Sequence, residues 1–310
     1  MPGGHLQTIV PALFSTVPAV SYRRERWATP DSDFIDLDWV DATHPAPLLV
    51  LFHGLEGSSD SHYARALMAR VRALGWHGAI PHFRGCSGEP NRAARAYHAG
   101  DSAEIHWIVT TLRQRFPDRP LLLSGVSLGG NQLLKWLGEQ GQAARREVIA
   151  AASVSAPLDL TACGLVLDSG LSRHLYTRSF LKTLKPKALA TLRRFPHLAD
   201  PRPIAQARSF KEFDRYFTAP VHGYTDHLDY WHRASSKPLL RSIAVPTLIL
   251  NARNDPFMPA SALPGSEDVS VSVELDFPAH GGHVGFAQGR FPGRLDWLPQ
   301  RLPDFFARHL

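Results

Sequence analysis

The stretch L-L-L-S-G-V-S-L-G-G-N-Q-L-L-K-W, Leu121–Trp136, decides how the rest of the chain is read. It opens as a buried strand, passes through a serine set between glycines, and continues with apolar residues at helical spacing. Gly125–Gly129 fits G-x-S-x-G. In that pattern the glycines allow a sharp strand-to-helix turn, and the serine is exposed at the carboxyl end of a sheet. Strained turns are kept where they serve a site, so Ser127 is a candidate nucleophile. The bland alternative is a tight turn that happens to contain a serine. The flanking sequence has to choose between them.

Outward from this turn, strands and helices alternate. Asp33–Val40 has period-two alternation and predicts a half-buried strand. Pro47–Gly54 is a continuous apolar run, as in a strand covered on both faces. Ser61–Leu74 has helical spacing and stops at Gly75. Trp76–Gly85 reads as another strand with Pro81 near its end, and Asp101–Phe116 as a helix. Leu121–Ser124 predicts a strand and Asn131–Gln140 a helix. Val148–Ser155, Val245–Leu250 and Val269–Phe277 predict three more strands, and Leu295–Leu310 a helix broken by prolines. The alternation implies an α/β fold, a mostly parallel, doubly wound sheet. One interval has no strand signal. Residues 158–240 carry helix-like runs and aromatic pieces such as F-D-R-Y-F, too long for a plain crossover. The expected organisation is a core of residues 1–157 and 241–310 with a helical cap insertion over residues 158–240.

A serine nucleophile needs a base, and the base needs an orienting acid. After V-P-T-L-I-L comes N-A-R-N-D-P-F, which puts Asp255 just beyond a strand's carboxyl end. After the last strand comes P-A-H-G-G-H-V-G-F, which offers His280 and His283. The order Ser127, Asp255, His283 is that of the α/β hydrolases. Taken alone, Asp255 could be a turn former, since N-D-P is good turn chemistry. His283 follows two glycines and is expected on the site-facing side of its loop, with His280 at the rim. The oxyanion hole needs two N–H donors, expected from the backbones of Leu128 and of Leu55 in H-G-L-E-G-S-S-D. Cys86 and Ser87 have no base placed for them, and Cys86 reads as a small buried side chain.

Composition narrows the remaining classes. With 310 residues, 44% hydrophobic and 20% charged, the chain can bury a large core unaided. Its two cysteines make no disulfide framework and fit a reducing compartment. No signal-peptide pattern and no apolar run of membrane-spanning length occurs, so the expected location is cytoplasmic, with transient contact at a membrane surface still compatible. The net charge of +6 comes from scattered arginines rather than a basic stripe with interleaved aromatics, which argues against a nucleic-acid partner. H-x-x-H at residues 280–283 lacks the glutamate or cysteines of a zinc site, so no metal is expected.

These pieces resemble the YheT-like α/β-hydrolases, a family that includes the mammalian abhydrolase-domain lipases. The resemblance rests on H-L-Q-T at His5–Thr8, H-G-L-E-G-S-S at His53–Ser59, R-G-C-S-G-E-P-N at Arg84–Asn91 and G-V-S-L-G-G-N at Gly125–Asn131. N-A-R-N-D-P-F and H-G-G-H-V-G-F complete it, so it spans nearly the whole chain. It implies carboxylic-ester hydrolysis without a cofactor, on small-molecule ester or lipid substrates, and its triad falls on Ser127, Asp255 and His283. The H-x-x-x-x-D acyltransferase pattern of some relatives is missing, because His222 and Asp226 are one residue too close. The expected activity is therefore that of a carboxylesterase on short- to medium-chain or lipid-like acyl esters. A thioesterase, or a phospholipase or monoacylglycerol lipase, on the same triad, or a silent binding protein on a hydrolase scaffold, are the rivals.

Overall fold

The computed structural model describes residues Met1–Leu310. Eight strands form one sheet in the order β1-β2-β4-β3-β5-β6-β7-β8. They are β1 (Arg23–Ala28), β2 (Phe34–Val40), β3 (Leu48–Phe52), β4 (His77–Pro81), β5 (Leu121–Val126), β6 (Ala150–Val154), β7 (Thr247–Leu250) and β8 (Val273–Asp276). From β4 to β8 all neighbours are parallel, while β2 pairs antiparallel with both β1 and β4.

Alternate residues of the central strands feed two separate cores. Leu48, Val50, Phe52, Leu121 and Leu123 pack on one face against Ile105, Ile108, Val109, Leu133, Leu134 and Leu137. Those partners come from α3 (Ser102–Arg115) and α4 (Leu128–Gln140). Leu49, Leu51, Leu122 and Val126 pack on the other face against Leu67, Met68 and Val71 of α2 (His62–Ala73) and against Leu302, Phe305 and Phe306. A strand covered on both faces has no use for alternation, which is why these segments read as unbroken apolar runs. The fold is the doubly wound α/β architecture.

Four details depart from the sequence expectation. β2 is buried along its whole length rather than on one face. Its carboxylates Asp36 and Asp38 face arginines of β1: Arg26 Nε donates to Asp36 and Arg24 Nε to Asp38, each at 2.7 Å. The charged run R-R-E-R thus forms an edge strand that the sequence reading left unassigned. α1 (Gly4–Phe14) is a second unexpected element. At the C-terminus, Trp297–Ala307 is one helix that continues through Pro303. Its buried Leu302, Phe305 and Phe306 hold it to the sheet across the missing backbone donor.

Between β6 and β7 the chain forms helices joined by short loops and no strand. It forms α5 (Leu160–Leu167), then helices over Arg178–Arg194, Pro201–Gln206, Phe210–Phe213 and His227–Ala234. Leu181, Ala188, Leu192, Ile204, Phe213 and Phe217 make a small apolar cluster of their own there. No helix of the molecule is long and apolar enough to cross a membrane.

Candidate active site

Ser127 is the single residue between β5 and α4. Its backbone is left-handed (φ 53°, ψ −121°), a conformation that costs a non-glycine residue roughly 1–3 kcal/mol. The N–H of Ser127 donates to Val154 O at 2.8 Å, so the turn is held from β6. The two motif glycines are needed for close approach. A Cβ on Gly125 would stand 2.5 Å from Gly129 O, and one on Gly129 2.4 Å from Phe52 O. No larger residue lets the helix begin this close to the sheet.

Asp255 lies in the turn after β7, buried, with one carboxylate oxygen accepting the Phe257 N–H at 2.8 Å. His283 lies in the loop after β8. Its Nδ1 is 2.9 and 3.2 Å from the two Asp255 oxygens, and its Nε2 is 3.0 Å from Ser127 Oγ. The three residues therefore form one hydrogen-bonded line at the carboxyl ends of β5, β7 and β8. Phe257 lies nearly flat on the imidazole, with ring centroids 3.9 Å apart and planes 12° apart. His280 is exposed, and His283 alone joins acid to serine.

Leu55 and Leu128, the two expected donor residues, line the same cavity as Ser127 and His283. Leu128 is the first residue of α4, where an N–H has no partner within the helix. Leu55 follows β3, and its flanking amides are both occupied. Gly54 N–H donates to Tyr63 OH at 2.8 Å, and Glu56 N–H to Tyr97 OH at 2.9 Å. The Leu55 N–H donates to no backbone group. His53 fixes the base of the loop: Phe83 N–H donates to its Nε2 at 3.0 Å, and its Nδ1 lies 2.8 Å from Gly54 O. Burial pushes its pKa down to about 3, so it stays neutral and keeps both bonds. Glu56 accepts from Tyr97 OH and from Lys187 Nζ, each at 2.8 Å, which ties the loop to helix Arg178–Arg194.

Ser127 and His283 open into a cavity of about 920 Å³, part of it open to solvent. Fifteen of its 23 lining residues are hydrophobic, including Leu160, Leu167, Phe180 and Trp231 from residues 158–240. Cys86 is outside this cavity; burial pushes its thiol up to about 12, which keeps it protonated and unreactive. Histidine, cysteine and acidic side chains nowhere gather in threes as a metal ligand set. The sequence reading missed the partners that fix the loops, among them Tyr63, Tyr97, Asn254 and the segment His5–Thr8. Of these, His5–Thr8 and Asn254 fell in motifs of the resemblance, H-L-Q-T and N-A-R-N-D-P-F, while Tyr63 and Tyr97 had no signal.

Residues 47–289 match the family described as the alpha/beta hydrolase fold. The candidate esterase YheT of Escherichia coli (strain K12) is 41% identical over 312 residues, covering 99% of this chain and 91% of that protein. Phospholipase ABHD3 of Mus musculus is 30% identical over 308 residues, covering 96% of this chain and 74% of its own. Among solved structures, the Pyrococcus furiosus esterase Pf2001 superposes with a TM-score of 0.59 at 16% identity, covering 95% of this chain and 98% of that one. At that identity the superposition speaks for the fold alone. The serine turn and the strand ends fall where this fold puts its sites, the likeness to YheT runs almost end to end, and the chain belongs to the α/β-hydrolase family, in its YheT-like branch.

Proposed function

We propose that this protein is a serine carboxylesterase whose nucleophile, base and acid are Ser127, His283 and Asp255. One observation carries the reading. His283 lies within hydrogen-bond reach of the serine through Nε2 (3.0 Å) and of the buried carboxylate through Nδ1 (2.9 Å). Asp255 fixes the tautomer that leaves Nε2 free to accept the Ser127 proton, and it stabilises the imidazolium that results. Ser127 Oγ attacks the ester carbonyl as its proton passes to Nε2. The carbonyl oxygen becomes an oxyanion against the N–H groups of Leu55 and Leu128, aided by the amino end of α4. The tetrahedral intermediate collapses, and the Nε2 proton goes to the departing alkoxide. Water then gives a proton to Nε2 and its oxygen to the acyl carbon. The acid is released and Ser127 is restored.

Residues 158–240 act, in this reading, as a cap over a core of residues 1–157 and 241–310. They supply much of the apolar wall of the cavity, a surface that suits an acyl chain rather than a charged group. Medium-chain or lipid-like esters are the substrate class that follows. The likeness to a protein named phospholipase favours a second reading, a glycerophospholipid as the ester. The test is hydrolysis of p-nitrophenyl esters from acetate to palmitate, with Ser127→Ala beside the wild type. Turnover that peaks at intermediate chain length and vanishes in the variant is the expected result. Equal turnover by both proteins would remove Ser127 from the mechanism. Activity on a phospholipid but on no p-nitrophenyl ester would favour the second reading.

A further inference from the structure

The segment His5–Thr8 takes no part in the chemistry proposed above, yet three of its four side chains are committed to the site. Thr8 Oγ1 accepts the backbone N–H of His283 at 2.8 Å, and its own proton goes to Gly4 O at 2.7 Å. Gln7 Oε1 accepts two donors, the Gly281 N–H at 2.8 Å and Asn254 Nδ2 at 2.9 Å. Asn254 Oδ1 in turn accepts the Gly282 N–H at 3.0 Å. One side-chain amide therefore bridges the loop that carries the acid to the loop that carries the base. His5 Nδ1 lies 3.0 Å from Tyr176 OH. Tyr176 packs on Phe257 with centroids 4.6 Å apart, and Phe257 lies on the His283 ring. Leu6 alone points outward, 47% exposed.

The histidine loop needs such support. Gly282, Val284 and Phe286 have φ of 60°, 61° and 41°. For a β-branched valine this is an unfavourable backbone, and such strain persists only where the surroundings over-determine it. On the sheet side the Val284 N–H donates to Ser155 Oγ at 3.2 Å. The opposing hold comes from α1. The fit is close: a Cβ on Gly285 would stand 1.8 Å from Gln7 O, and one on Gly282 2.8 Å from the Gln7 carbonyl carbon. Without the two side-chain acceptors, the loop can relax its left-handed residues and turn the imidazole away from Ser127.

We propose that Thr8 and Gln7 are positioning residues: α1 clamps the His283 loop so that Nε2 stays aligned with Ser127 Oγ. The proposal rests on the triad reading. Its test compares Thr8→Val, which keeps shape and loses the acceptor, with Thr8→Ser, which keeps the acceptor. The readouts are kcat and KM on a p-nitrophenyl ester, the labelling rate with a fluorophosphonate, and the melting curve. Misplacement of the base predicts a fall in kcat of about 10- to 100-fold in Thr8→Val, with KM changed by no more than about twofold and labelling slowed in parallel. Thr8→Ser should return to within about threefold of wild type. A folded Thr8→Val with wild-type kcat and labelling overturns the proposal, as does an equal loss in Thr8→Ser. If Thr8→Val does not fold, Gln7→Met against Gln7→Glu gives the same contrast, since glutamate keeps both acceptor bonds. An active or labelled Ser127→Ala would sink the triad and the clamp together. A silent Ser127→Ala beside a full-speed Thr8→Val would sink the clamp alone.

Discussion

Two histidines three positions apart differ only in where the loop sends them. His283 is stacked on Phe257 and bonded at both ring nitrogens, while His280 stands in solvent. Glutamine in place of His283 keeps polarity and approximate size but cannot accept and return a proton near neutral pH. His283→Gln should therefore cost about 10⁴-fold or more in kcat/KM, the scale on which removal of a triad member acts. His280→Gln should stay within about twofold of wild type. Steady-state kinetics on one ester decide the matter; comparable losses in both variants would mean that the loop, not the individual base, is what matters. The proposed nucleophile and acid are legible in sequence because each sits in a pattern with its own physical reason. Gly125 and Gly129 mark a turn that tolerates no side chain, and Asp255 follows a strand end in turn chemistry. Gln7 and Thr8 are not legible in that way. They are common polar residues more than 240 positions from the loop they hold, and neither their type nor their spacing announces a partner.

At the scale of elements, polar residues inside apolar surroundings are where pattern reading runs out. Asp36 and Asp38 made β2 look half exposed, because the arginines that cover them lie on a strand with no apolar signal. Asp214 is the counterpart in the helical segment. It is buried in a π-helical turn, lines the cavity, and accepts from Thr218 Oγ1 at 2.7 Å and Trp231 Nε1 at 2.8 Å. Burial outweighs those two bonds and pushes its carboxyl up to about 6. An unfolded aspartate ionises near 3.9, so from about pH 4 to pH 6 the unfolded chain has released this proton while the folded one keeps it. Stability is therefore lost as pH rises across that window. A shift of about 2 pK units corresponds to about 3 kcal/mol. Asp214→Asn keeps the shape of the group and removes the proton. Its stability relative to wild type should improve between pH 4 and pH 7 by up to that amount. Urea unfolding at a series of pH values measures this; parallel curves for the two proteins would show that Asp214 folds already ionised.

For the molecule as a whole, the parallel layers are readable from the chain because strands buried on both faces are uniformly apolar. The antiparallel edge is less readable because charge rather than apolar surface holds it. Arg84 gathers this edge into the body of the protein. Its side chain is 3% exposed and reaches Asp31 at 2.8 Å and Asp33 at 3.1 Å, both between β1 and β2, and Glu104 of α3 at 2.7 Å. Asp33 is further held by the N–H groups of Phe34, Arg92 and Ala93. Positions 31, 33, 84 and 104 share no local pattern, so only the folded arrangement shows them as one group. Methionine at position 84 would fill similar space, leave buried Asp33 without its cation and leave buried Glu104 only the more distant Arg95, 3.8 Å away. Breaking one side of a buried ion pair costs about 3–5 kcal/mol, more than most single surface changes. Arg84→Met should lower the melting temperature by roughly 10 °C at pH 8. The loss should shrink toward pH 5, because an orphaned buried carboxyl can take up a proton and shed its charge. Arg84→Lys should fall in between, since an ammonium restores the charge but cannot fork to three carboxylates. Differential scanning calorimetry at the two pH values tests both statements. A methionine variant that melts with wild type at pH 8 would mean the arginine only balances the acids around it, and that the edge is held by strand pairing and the outer Arg24 and Arg26 pairs.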